Sequence, residues 1–149
     1  MLVASLTRDP IDTDSLLAAV AGEGMGATVL FVGSVRRSAE DGPVTAIEYS
    51  TYEEMAREEV ERIIAEAAGR WPDARCVMQH RVGTVPTGEP SIAVVAGAPH
   101  RAEAFEACRF LIEQAKLRLP VWKREEFEGG GARWREHDAA DSGKLPEGP

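Results

Sequence analysis

The chain has 149 residues, 44% of them hydrophobic, and a formal net charge of −8. That length fits one domain, the apolar fraction excludes wholesale disorder, and the acidic balance speaks against a nucleic-acid binder. No apolar run approaches the roughly 18 residues of a membrane span, and residues 1–10 lack the basic-then-apolar order of a signal peptide, so a cytoplasmic protein without a membrane partner is expected.

Residues 2–7 read as a short strand. Asp12 or Thr13 can cap a helix through Leu16, Leu17 and Val20 that stops in the glycine-rich stretch 22–26. Residues 27–36 are β-branched and apolar and read as a strand, followed by a polar loop over 37–43. Residues 44–50 alternate, which puts Val44, Ala46 and Glu48 on one face. Ser50 and Glu53 have capping-box spacing for a second helix through Met55, Val60, Ile63, Ile64 and Ala67, ended by Gly69 and Pro72. Strands are expected at 74–82 and 91–97, with a turn or loop over 83–90, where Gly83, Pro86, Gly88 and Pro90 stand.

Pro99 and His100 open a third helix, in which Phe105, Cys108, Ile112, Ala115 and Leu119 form a core-facing stripe that Pro120 ends. Residues 121–126 are expected to be extended, Gly129 to Gly131 a hairpin or loop, and residues 133–135 a returning strand. The order of elements is that of a single α+β domain with antiparallel sheet, over 1–136, and residues 137–149 read as a flexible tail.

Candidate chemistry concentrates between residues 100 and 125, where six Lys or Arg stand against four Glu. A net-positive stretch in an acidic chain suggests an anion site, while composition alone favours a helix surface of ordinary mixed charge. His100 and Arg101 fall where free helix N–H groups point outward. Arg101 shares a helical face with Phe105 and Cys108, and Lys116 lies at the margin of that face. On periodicity alone Arg101 is a surface arginine and Lys116 a lysine whose stem lies on the core edge.

Arg36 and Arg37 end an apolar strand, and one of them can hold a phosphate bidentately. Lys123 follows Trp122, and a lysine partly stripped of water can act in acid–base chemistry. Cys76 and Cys108 read as buried small hydrophobes, and with the three histidines they show no metal-ligand spacing. No metal or cofactor is expected.

Taken together, these segments resemble a known family. Phe31-Val32-Gly33-Ser34-Val35-Arg36, Glu48-Tyr49, His80-Arg81-Val82-Gly83, Gly88-Glu89, His100-Arg101 with Ala104-Phe105-Glu106-Ala107, and Lys116 with Pro120-Val121-Trp122-Lys123-Arg124-Glu125 are similar, in order and spacing, to the catalytic (large) subunit of molybdopterin synthase, the MoaE family. The resemblance runs from about residue 27 to 134.

It implies an α/β-hammerhead-type fold with an additional antiparallel β-sheet. It also implies a sulfurtransferase that works as a homodimer and binds two small ubiquitin-like sulfur-carrier subunits, a heterotetramer. The carrier's C-terminal Gly-Gly thiocarboxylate is the implied sulfur donor and cyclic pyranopterin monophosphate the implied acceptor, so the cysteines are not the sulfur source. By the same resemblance Ser34, Val35, Arg36, His100, Arg101, Arg124 and Glu125 bind substrate. Lys116 and Lys123 bind it too, and carry the catalysis.

Ser34 stands where some relatives carry a lysine. Arg36, His100 and Arg101 are expected to converge, within one chain or across two subunits. The alternative is a non-catalytic module on the same fold that binds a phosphorylated ligand or a ubiquitin-like tail. Two lysines beside the Arg/His set exceed what a passive anion site needs.

Overall fold

A strand that is a near-continuous apolar run needs cover on both sides, and Pro90–Ala98 (β6), apolar but for Ser91, is such a strand, buried from Ser91 to Ala98. The computed structural model describes residues 3–37 and 43–136; the tail at 137–149 and most of the loop at 37–43 lie outside the described residues. β6 is central in a four-stranded sheet with Val3–Thr7 (β1), Ala27–Ser34 (β2) and Arg75–Arg81 (β4), in the order β1-β4-β6-β2. The β1–β4 pair is parallel and the other two pairs are antiparallel.

Helix Thr13–Val20 (α1) covers one face, with Ile11, Leu16 and Val20 against Val77, Ala93 and Val95. Asp12 caps it, accepting from Asp14 N and Ser15 N at 3.1 and 3.3 Å, which satisfies two of the donors a helix start leaves open. Helices Glu53–Arg70 (α2) and Arg101–Arg118 (α3) cover the other face. Ile63, Ile64 and Leu111, each at 0% exposure, fill that layer against Met78 and Val94. Burial of each such side chain contributes about 1.5–3 kcal/mol.

The second sheet has four strands, all antiparallel. Gly83–Pro86 (β5), Val44–Thr51 (β3), Val121–Phe127 (β7) and Ala132–Glu136 (β8) run in the order β5-β3-β7-β8. The chain passes from the first sheet to the second between β4 and β5, at Val82 and Gly83. Gly83 has φ +87°, a conformation that residues with a Cβ rarely adopt. Val44, Tyr49, Val85 and Val121 join the sheet to the core shared with α2 and α3.

The α+β architecture and its antiparallel second sheet are as expected, with five local corrections. Ser50 does not start a capping box: β3 runs on to Thr51, Tyr52 is the N-cap of α2, and no side chain caps it. The strand at 27–36 ends at Ser34, so Arg36 and Arg37 lie beyond it. Residues 83–86, expected as loop, pair with β3.

Phe105 is 61% exposed and is not in the core stripe. The buried line of α3 is Ala104, Ala107, Cys108, Leu111, Ile112 and Ala115, rotated away from Phe105. The register of β3 shifts between Val44 and Ala46. A bulge there breaks the two-residue alternation, so Val44 joins Ile47 and Tyr49 on the core side and Glu48 faces the other way.

Candidate functional site

Two basic groups bracket the β2–β6 pair. Ala27 is in register with Ala98 and Ser34 with Pro90. Arg36 therefore stands beyond one end of the pair and His100 beyond the other. An eight-residue strand at about 3.4 Å per residue puts them on the order of 25 Å apart within one chain. Within the chain, then, Arg36 does not converge with His100 and Arg101. All three are exposed, and His100 is the N-cap of α3 without a side-chain cap bond.

Ser34 is exposed, and Val35 is buried and tied to the next turn. Val35 N donates to Glu89 O at 3.0 Å and Gly88 N donates to Val35 O at 2.7 Å. That turn is held in its place by Arg81, which donates to Glu89 at 3.1 Å. Arg36 thus leaves from a pinned backbone. Arg37 turns to Glu128, 2.6 Å away.

Helix α3 returns over β6 from the His100 end, with Cys108 Sγ 3.8 Å from Val94 O at mid-strand. Its last turn, with half-buried Lys116, therefore heads for the Ser34–Pro90 end, where Arg36 emerges. Arg118 fixes that turn to α2 through Glu59 at 2.6 Å and Glu66 at 2.7 and 3.0 Å. The hydrogen bond from Arg118 holds the Glu66 carboxyl below its ordinary value of 4.5.

Pro120 ends the helix run, and its carbonyl accepts from Thr51 Oγ1 at 2.8 Å. β7 then carries Lys123 and Glu125 on the face of Val121, opposite Tyr49 and Ile47, while Trp122 and Arg124 point to the other face. Lys123 is half-buried. Glu125 is 2% exposed and pairs with Arg133 of β8 at 3.0 Å. Arg124 sits on the opposite side, 3.8 Å from Glu48.

The expected residues therefore fall into three places: Arg36 with Ser34 and Val35 at the end of β2, with Lys116 on the α3 turn that heads there; Lys123 and Glu125 on the core side of β7; and His100 with Arg101 at the far end. Arg124, although adjacent to Lys123, points to the other face of β7.

Sequence reading missed Arg133, Tyr49 and His80 as neighbours of this region. The alternation of β7 and β8 could have suggested Arg133, whereas His80 reaches Tyr49 only through the junction of the two sheets. Cys76 and Cys108 are free and buried, and burial pushes both thiols up to about 11, so neither is a nucleophile near neutral pH. Among the described residues no group of three His, Cys, Asp or Glu is placed to hold a metal, and no helix is long and apolar enough to cross a membrane.

The sequence matches the model of the MoaE protein family over residues 6–118. The chain belongs to the MoaE family. It is 39% identical over 134 residues to the molybdopterin synthase catalytic subunit of Drosophila erecta, which covers 89% of this chain and 36% of that protein. The chain thus spans little more than a third of that relative's length.

Among solved structures, molybdopterin synthase from Staphylococcus aureus superposes with a TM-score of 0.84 at 30% identity, covering 89% of this chain and 96% of that one. The fold also matches the complex of subunits 1 and 2 of the molybdopterin-converting factor of Helicobacter pylori. There the TM-score is 0.70 at 25% identity, with 82% of this chain and 83% of that one covered. The MoaE match includes β2, α2, β6 and α3, hence Arg36, His100, Arg101 and Lys116, and stops before Lys123.

Proposed function

We propose that the chain is the catalytic subunit of a molybdopterin synthase. It transfers sulfur from the C-terminal thiocarboxylate of a small ubiquitin-like carrier to cyclic pyranopterin monophosphate. The observation that carries this reading is the delivery of two lysines by consecutive elements. Lys116 comes from the last turn of α3, and Lys123 from the core side of β7 just past Pro120.

A thiocarboxylate is an anion, and paired ammonium groups draw it into a cleft. Its sulfur displaces an oxygen substituent from a carbon of the pterin side chain, the C–O bond breaking as the C–S bond forms and the oxygen leaving on phosphate or, with a proton, as water; a thioester between pterin and carrier remains. Water then adds to the acyl carbon, and the carrier leaves as an ordinary carboxylate while the sulfur stays on the pterin. The tetrahedral oxyanion in that second step gains from a fixed cation. Two rounds supply the two sulfurs of the dithiolene. The Helicobacter two-subunit complex supports a small partner subunit, and no sulfur source within the chain competes, because both thiols are buried and protonated.

The phosphate of the acceptor is assigned to Arg36, His100 and Arg101, which requires a second copy of the chain. β2 is the edge strand of the first sheet, and Leu30 and Val32 on it are each 37% exposed. An open strand edge is a template for pairing. Antiparallel pairing of β2 with β2 of a second copy about a two-fold axis carries the second copy's His100–Arg101 end to Arg36. The functional unit is then a homodimer with two shared sites, and a heterotetramer once two carriers bind. The cytoplasm is proposed as the compartment.

The test is reconstitution: purified chain, thiocarboxylated carrier and cyclic pyranopterin monophosphate in one tube, with dithiolene formation as readout. Product that requires all three components is the expected result; absence of product with all three present rejects the proposal.

A further inference from the structure

Lys123 has Tyr49 directly across from it on β3. Opposed side chains in an antiparallel pair share a face, with Cβ atoms about 4.5–5.5 Å apart. On the other flank of Tyr49 the register partner is Gly83, which offers no side chain. Backing for the Tyr49 ring comes from His80, whose ring meets it edge-on at 5.1 Å between centroids and 72° between planes.

His80 is 0% exposed, and its Nδ1 lies 2.7 Å from the carbonyl oxygen of Arg81. A carbonyl only accepts, so Nδ1 carries the proton and the imidazole is fixed in one orientation. Tyr49 itself is 5% exposed. The arrangement is an imidazole fixed at the junction of the two sheets, a phenol ring set edge-on against it, and Lys123 in register with that tyrosine on the neighbouring strand.

We infer that Tyr49 is a positioning residue for Lys123, with His80 as the fixed backing of its ring; this rests on the catalytic reading of Lys123 above. A lysine has a long flexible stem and delivers its ammonium to one point only where that stem is held. Misplacing a reacting or charge-stabilising group by about 1 Å costs on the order of 10²-fold in rate. The ring supplies the hold, since it has two side-chain torsions and contact on its other side.

The experiment uses the full chain with its lysines reductively methylated with ¹³C, the Lys123 signal being assigned by its loss in Lys123→Arg. A ring current from Tyr49 shifts the Lys123 methyl signal away from the exposed-lysine position. Tyr49→Leu returns it there, while Tyr49→Phe keeps the shift and Lys116 serves as internal control. In single-turnover sulfur transfer with unmethylated protein, Tyr49→Leu lowers the maximal rate about tenfold or more with pterin affinity unchanged, and Tyr49→Phe restores it.

An unshifted Lys123 signal in the wild type overturns the inference, as does a wild-type rate in Tyr49→Leu. If Tyr49→Leu unfolds, the signal and rate of His80→Gln, which removes the aromatic backing, decide the matter: a wild-type result in both overturns it. A wild-type rate in Lys123→Ala is a different outcome, since it rejects the catalytic reading itself while the methyl shift would still be present.

Discussion

Glu125 and Arg133 stand side by side across the β7–β8 pair, the glutamate side chain 3% exposed and the arginine side chain 39%, with 3.0 Å between their charged groups. A carboxylate buried to that degree is stable only while its charge is compensated. Arg133 also lies over the Phe127 ring at 5.5 Å, so β8 is held by one residue in two ways. Arg133→Met is expected to lower unfolding stability by about 1–3 kcal/mol, toward the lower end because the arginine is partly solvated. Urea denaturation checks this, and an unchanged midpoint contradicts it.

Arg36 and His100 at opposite ends of β2–β6 lead to a prediction about mixtures. Arg36→Ala and Arg101→Ala homodimers are each expected to be impaired in sulfur transfer. Mixed and re-equilibrated, they form heterodimers in which one of the two shared sites has both arginines, so activity returns to about a quarter of wild type. If the mixture is no more active than its parts, the sites are not shared.

The same geometry predicts that a charge on the β2 edge separates the subunits. Val32→Lys is expected to give monomer by light scattering at micromolar concentration, with α-helix content unchanged by circular dichroism. A Val32→Lys dimer contradicts the β2 pairing.

Two pH dependences follow from buried or paired groups. Cys76 and Cys108 have their folded values raised from 9.0 to about 11, so the folded state holds these protons more tightly than the unfolded chain. Their contribution is complete below pH 9.0 and is lost as pH rises through 11. Cys76→Ala with Cys108→Ala is expected to flatten alkaline unfolding over that window and to leave sulfur transfer intact.

Glu66 has the opposite sign. Its folded value lies below 4.5 because of Arg118, so its contribution is present above 4.5 and lost as pH falls below it. Arg118→Leu is expected to reduce that acid sensitivity, and to lower the melting temperature by an amount that shrinks in high salt. Melting curves over the two pH ranges check both.

Local chemistry made much of this fold legible. Asp12 before an apolar-periodic run, the β-branched residues 27–34 and the Pro99–Pro120 bounds of α3 are each written in a few neighbouring residues. What stayed hidden depends on distant partners. Ser50 reads as a cap, yet pairing with Trp122 keeps it in a strand. Phe105 reads as core, but the sheet beneath α3 selects a line rotated toward Ala104 and Leu111.

Gly83 to Pro86 reads as loop, because only its partner strand β3 makes it a strand. The site follows the same rule. Lys116 and Lys123 are visible from the segment around Pro120 and the family resemblance it carries. Tyr49, in register with Lys123, and His80, against the Tyr49 ring, come from two sheets whose junction no local pattern announces.

Lys116 and Lys123 are proposed to do the chemistry, and a single-turnover assay with thiocarboxylated carrier tests it. Lys116→Ala and Lys123→Ala are expected to fold and dimerise as wild type, to bind a sulfur-free carboxylated carrier somewhat more weakly, and to form product on the order of 10²-fold more slowly. Wild-type rates in both variants would exclude a catalytic role and leave the two lysines as solvated charges at the edge of a helix and a strand.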